Sequence, residues 1–172
     1  MRLRQDTTMF SVKVTRKTRN LEKLVDKLEA LSKEHVETGV FAEQGEHPKT
    51  EMSYVQLAVM HEEGDGNFPP RTVRPLIMNS MKEKPFMDKV SQHLNKYLFK
   101  DVSLNYALGY IGQDMAMIGK SFFGVINNPW MKGNAPKTIE LKGKNTPLVD
   151  EGFFKDTWAY KTSVNNIVVE SV

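Results

Sequence analysis

Apolar residues along this chain recur at two spacings, and the spacing assigns most of its elements. Over residues 9–16, Phe10, Val12 and Val14 alternate with Ser11, Lys13 and Thr15. That period of two predicts a strand with one buried face. Leu21, Leu24, Val25, Leu28 and Leu31 then fall at i, i+3, i+4, i+7 and i+10, which predicts an amphipathic helix with Asn20 as its N-cap. Residues 36–42 read as a second strand, running into a polar loop over 43–48. A second helix is predicted from a cap at Thr50 or Ser53 to about Glu63. Tyr54, Leu57, Ala58 and His61 share one of its faces, and Gly64 stops it.

Pro69, Pro70 and Pro75 each bias the residue before them to extended geometry. Residues 68–75 are therefore predicted to be a stiff connector that carries Arg71 and Arg74 and becomes helical only after Pro75. A short helix over 76–81 follows, and then a longer one entered at Pro85 and carried by Phe86, Val90, Leu94 and Leu98. From 104 to 125 the apolar positions step by four and three, predicting a long helix that ends at Asn127-Asn128-Pro129. Gly109, Gly112 and Gly119 lie inside it. A helical glycine costs about 1 kcal/mol relative to alanine, so close approach of another backbone is expected there. Two strands are predicted over 155–163 and 166–172. Between them and the long helix, residues 133–152 are rich in turn residues, far more than the usual ~4–6 residues of a connection. This stretch reads as an extended loop over 128–150, pinned by Ile139, Leu141, Leu148 and Val149; loops of that kind are commonly functional. The order of elements predicts one α+β domain over 1–172: a small antiparallel or mixed sheet, several helices packed on one face, and a long extended loop before the C-terminal strand pair.

Composition narrows the function. A chain of 172 residues can bury a core without staples, and the absence of cysteine removes disulfides, thiolate nucleophiles and zinc–cysteine sites. No apolar run approaches the ~18 residues of a membrane span. The opening Met-Arg-Leu-Arg-Gln-Asp is not followed by the apolar core of a signal peptide, so a soluble protein made and used in a cytoplasm is expected. The net charge of +3 conceals a segregation: residues 1–33 sum to +5, residues 34–70 to −7 and residues 71–172 to +5. A nucleic-acid-binding domain more often shows an unopposed basic face. Blocks of both signs suit a protein that meets copies of itself or dissimilar partners; two solvated faces of a monomer are the alternative.

Catalytic patterns are incomplete. Gly119-Lys120-Ser121 matches the end of a phosphate-binding loop, but position 114, where a glycine must turn the chain, is Asp. His61-Glu62-Glu63-Gly64-Asp65 has one histidine where a zinc-protease helix needs two at i and i+4, so His61 is expected to pack or hydrogen-bond near a helix end. No Gly-x-Ser-x-Gly elbow occurs, and Asp150 and Glu151, being adjacent, do not converge on one site. Trp130-Met131-Lys132 is a small aromatic and basic patch, better suited to anchoring a loop or a partner than to stacking a base. No catalytic residue, metal or cofactor is expected, and the chain reads as a non-enzyme.

Three motifs in the loop carry a resemblance: Asn134-Ala135-Pro136-Lys137-Thr138, Lys142-Gly143, and Pro147-Leu148-Val149-Asp150-Glu151-Gly152. In order and spacing they resemble the Asn-x-Pro-x-Thr, Lys-Gly and Pro-Leu-Ile-Asp-Thr-Gly signature of neck and tail-completion proteins of tailed bacteriophages, including Mu-like virion morphogenesis proteins. Upstream, Tyr54, Ala58 and His61-Glu62-Glu63-Gly64 look like that family's Ala-x-x-His-Glu-Phe-Gly helix end, and Pro69-Pro70-Arg71 looks like its Pro-x-Arg-Pro-Phe turn. Glu63, Thr72-Val73 and Glu151 depart from the pattern. The resemblance implies a structural virion protein that forms a homo-oligomeric ring at the head–tail junction or tail end. Its partners would be other neck, connector or tail proteins, met in the host cytoplasm during assembly and then in the virion, with no membrane involved and any DNA proximity incidental. Interface candidates are Arg71, Arg74 and Trp130, then Asn134, Pro136, Thr138, Ile139 and Leu141, and finally Lys142, Gly143, Pro147, Leu148, Asp150 and Gly152. The alternative is a DNA-contacting protein of the same assembly, or a basic nucleic-acid-binding regulator.

Overall fold

The computed structural model describes residues 18–126 and 128–170, so the strand predicted over 9–16 lies outside the described residues. Among them, seven α-helices and a three-stranded sheet make an α+β fold. In chain order these are α1 (Thr18–Ser32), β1 (Val36–Gly39), α2 (Tyr54–Glu63), α3 (Arg74–Ser80), α4 (Lys84–Phe99), α5 (Leu104–Ser121), α6 (Pro136–Lys142), α7 (Phe153–Asp156), β2 (Ala159–Thr162) and β3 (Val168–Glu170). The sheet is antiparallel throughout, in the order β1-β2-β3, with Val36 opposite Thr162, Gly39 opposite Ala159, and Tyr160 opposite Val169. None of the described helices is long and apolar enough to cross a membrane.

The long helix organises everything else. Two apolar clusters flank α5: Leu108, Ile111 and Met115 pack with Phe86 of α4, while Ala116 joins Phe123, Phe154 and Trp158. Its fit against the sheet explains two of its three glycines. A Cβ at Gly112 would lie 2.2 Å from the Tyr160 ring, and one at Gly119 would lie 2.1 Å from the Trp158 indole. What a side chain at these two positions would strike is the ring of an aromatic residue from the C-terminal strand region. Gly119 also belongs to this packing, inside the helix, and not to any phosphate-binding turn.

Several boundaries differ from the prediction for local reasons. Asn20 lies within α1, which begins at Thr18. β1 stops at Gly39, and residues 42–44 form a 3-10 turn. Ser53 does cap α2, accepting from the Gln56 N–H while the Gln56 side chain returns to the Ser53 N–H. The next helix, α3, starts one residue before Pro75 instead of after it, because a proline in a first turn forfeits only an N–H that has no intrahelical partner. There Glu62, at the end of α2, accepts from the backbone N–H groups of Val73 and Arg74 at 3.0 and 3.2 Å. α5 ends at Ser121, short of Asn127-Asn128-Pro129, and Gly124 turns the chain with φ +83°. Residues 153–156, partly assigned to a strand, form the short helix α7.

The stretch read as an extended loop is only partly one. Residues 136–142 form α6, with Pro136 in its first turn and Gly143 closing it at φ +68°. On either side, Met131 and Pro147 are the largest fully buried side chains among the described residues. The segment is folded into the domain and is not an arm lying on it.

Candidate functional site

The connector after α2 is held from both sides by its own backbone. The Arg71 N–H donates to the His61 carbonyl at 2.7 Å, and the Thr72 N–H donates to the Trp130 carbonyl at 3.2 Å. This places the Arg71 side chain against the start of the long segment, where its Nε and Nη2 donate to the carbonyls of Lys132 and Gly133, both at 3.3 Å. Asn145 clasps the same strand of chain: its Oδ1 accepts the Asn134 N–H at 2.8 Å. A Cβ at Gly133 would come within 2.9 Å of the Asn145 amide nitrogen, so a side chain at this crossing would displace the Asn145 amide.

From α6, the Lys142 ammonium donates to the Val149 carbonyl at 2.7 Å and lies 3.9 Å from the Asp150 carboxylate. Lys144 donates to the Asp150 carbonyl at 3.2 Å, and the Pro147 carbonyl accepts from Gly124 at 3.0 Å. The turn over 147–152 is thereby fixed in an unusual path, with Leu148 at φ +60° and Gly152 at φ +102°. Leu148 and Val149 pack on the core cluster of Phe123 and Phe154. Glu151 ion-pairs with Lys49 of the loop before α2. That carboxylate lifts the Lys49 ammonium above its ordinary pKa.

These elements enclose a cleft of about 250 Å³ walled by α2, the connector, α6 and the 147–152 turn. His61, Arg71, Asn134, Thr138, Lys142 and Asp150 line it. His61 is packed between Phe68 and Phe154, with ring centroids 5.5 and 5.7 Å away. Burial, reinforced by the Arg71 charge and only partly offset by Asp65, lowers its pKa to about 4, so it is neutral at physiological pH. Burial also lowers the Arg71 pKa, though a guanidinium stays charged throughout the accessible range. A larger and shallower concavity of about 840 Å³ runs along β3 beside Glu43 and Gln44. It holds none of the residues singled out from sequence. Convergence of separated segments, and not volume, marks the smaller cleft.

Of the interface candidates, Arg71, Asn134, Thr138, Lys142, Leu148, Asp150 and Gly152 meet at this cleft. Arg74 is exposed in the first turn of α3 and Trp130 is 37 % exposed; neither lines it. Pro136 and Gly143 are the exposed ends of α6. Helical geometry separates Ile139 from Leu141: the first is half-buried and the second is 79 % exposed, so Leu141 is not an anchor. Pro147 is fully buried and is an internal anchor, out of reach of a partner. Lys49 and Asn145 carry no expectation from sequence, and His61, expected there to pack or hydrogen-bond near a helix end, is not among the interface candidates. Asn145 gave no signal there, because its role depends on a contact across the segment.

Chemically the cleft offers hydrogen-bond donors and fixed charge, with no nucleophile paired to a base. Among the described residues no three His, Asp or Glu side chains come together in a way that could hold a metal ion. Comparison with protein-family models, curated proteins and solved structures finds no match for this chain.

Proposed function

We propose that this chain is a non-enzymatic structural protein of a tailed-phage virion that assembles as a homo-oligomeric ring at the head–tail junction or tail end. The observation that most supports this reading is the convergence on one cleft of residues from each separated motif. His61 comes from the helix end, Arg71 from the Pro-Pro-Arg turn, and Asn134, Thr138, Lys142 and Asp150 from the C-terminal signature. Segments about 60–90 residues apart in the chain, chosen for their resemblance, share one surface feature. Leu141, 79 % exposed on α6 next to that cleft, is an apolar side chain available to a neighbouring subunit.

Sedimentation velocity and electron microscopy of the purified chain, alone and with tail tubes or connectors, test the reading. Rings of uniform size are expected. Leu141→Glu should abolish them while leaving the thermal unfolding midpoint within a few degrees of wild type, because an exposed position contributes little to the fold. A chain that stays monomeric under every condition and binds neither component would overturn the proposal.

A further inference from the structure

We infer that the cleft beside Arg71 is a receptor for a carboxylate, filled in the assembled particle by an Asp or Glu side chain of an adjoining chain. Only the source of the carboxylate rests on the assembly reading; the site is argued from its own geometry. A guanidinium carries five N–H donors in a planar fork. Arg71 spends two atoms, Nε and Nη2, on backbone carbonyls at the long distance of 3.3 Å. Among the described residues it forms no ion pair. The other two cations of the cleft are already matched, Lys142 by Val149 and Asp150, and Lys49 by Glu151. Arg71 is the cation left over. A second donor belongs to the same cleft: Nδ2 of Asn134, like Nδ1 of His61, is buried without a hydrogen-bond partner, and both residues line the cleft. Buried polar atoms are nearly always paired in a finished structure.

Charge and shape then choose the ligand class. Lys49, Arg71 and Lys142 against Asp150 and Glu151, with His61 neutral, leave one positive charge uncompensated. A single negative charge balances it, whereas a phosphate dianion would be set against the two acidic side chains already there. The guanidinium fork and a neighbouring amide match a planar, two-oxygen acceptor. A cleft of about 250 Å³ is below the ~300–1,000 Å³ usual for small-molecule sites and of a size for one side chain. The chain itself offers donors of that side chain: Glu46, Glu63 and Asp65 are exposed and form no ion pair among the described residues.

The test uses the intact chain. Potassium acetate, titrated against potassium chloride at matched ionic strength and against inorganic phosphate, is followed by the NMR signals of Arg71 Nε–H and the Asn134 side-chain amide. A saturable shift with acetate alone is expected. Asn134→Asp supplies an internal carboxylate beside Arg71 and should raise the unfolding midpoint, weaken acetate binding about tenfold or more, and weaken self-association by a similar factor. No saturable acetate shift, or a stronger response to phosphate, overturns the inference. A wild-type chain that assembles while Asn134→Asp assembles equally well keeps the ring and removes the carboxylate contact from it. A chain that binds acetate at Arg71 yet never assembles keeps the site and removes the adjoining chain as its source.

Discussion

At Gly112 and Gly119 a hydrogen atom is the largest side chain the packing admits, and at Gly109 it is not. A Cβ at Gly109 would meet nothing closer than the Tyr160 hydroxyl at 3.8 Å, an ordinary contact. Gly109→Ala should therefore stabilise the protein by up to about 1 kcal/mol through helix propensity. Gly112→Ala and Gly119→Ala should each destabilise it by ~2 kcal/mol or more through overpacking against rigid rings. Urea unfolding of the three variants checks the change of sign within one helix. The sequence marked these positions as anomalies, but it could not name the rings, which lie some forty residues further along. His61 makes the second residue-scale case. Its pKa falls from 6.5 to about 4 on folding. The unfolded state thus binds the proton more tightly, so the contribution is fully present above about pH 6.5 and is lost as the pH falls toward 4. After allowance for the ring's partial contact with solvent, the loss is on the order of 2 kcal/mol. Comparing urea midpoints at pH 7 and pH 4.5 in wild type and His61→Gln isolates it, since other groups titrate equally in both.

At the scale of elements, periodicity located helices well and misjudged what they touch. The stripe of Leu21, Val25 and Leu28 promised a buried face on α1, yet these residues are 63, 44 and 46 % exposed. Among the described residues, polar contacts tie α1 to α4: Lys27 Nζ donates to the Tyr97 and Leu98 carbonyls at 2.6 and 3.3 Å, and the Tyr97 hydroxyl donates to the Lys27 carbonyl at 3.0 Å. Leu31, at the helix end, reaches the cluster around Leu108. Leu28→Ala should cost less than about 1 kcal/mol, against ~2–5 kcal/mol for Leu108→Ala at 4 % exposure; calorimetry of the two variants would distinguish a supporting helix from a core one. At α6 the pattern understates the structure. Its seven residues are too few for periodicity and too short to form a helix unaided. It is stabilised in place by the bonds of Lys142 to the 147–152 turn. A legible sign was present nonetheless: Pro136 and Gly143 bracket it as a first-turn proline and a C-terminal glycine. The Glu62 cap on α3 left no such sign, because the cap comes from a different helix.

For the whole molecule, the charge segregation has to be judged after internal pairing. Part of the acidic block is consumed by the fold: Glu43 pairs with Lys161 at 2.8 Å, which holds its carboxyl below the usual range, and Glu62 caps α3. The block still leaves Glu46, Glu51, Glu63 and Asp65 exposed and without ion pairs among the described residues. An excess of one sign that the fold does not absorb remains available to another surface. Two identical chains can use it if the acidic surface of one meets a basic surface of the next; where that contact is head-to-tail, it makes a ring when the rotation closes. Such a contact is screened by salt over ~10 Å at 0.1 M and ~3 Å at 1 M. If association is carried by these charges, raising potassium chloride from about 0.1 to about 1 M should shift sedimentation toward monomer. The unfolding midpoint of the monomer should move little, since each lysine–carboxylate pair among the described residues keeps at least one partner in solvent and such pairs contribute little. Assembly that strengthens with salt would instead place the apolar side chains of Leu141 and α1 at the contact, and the charge blocks would be two solvated faces.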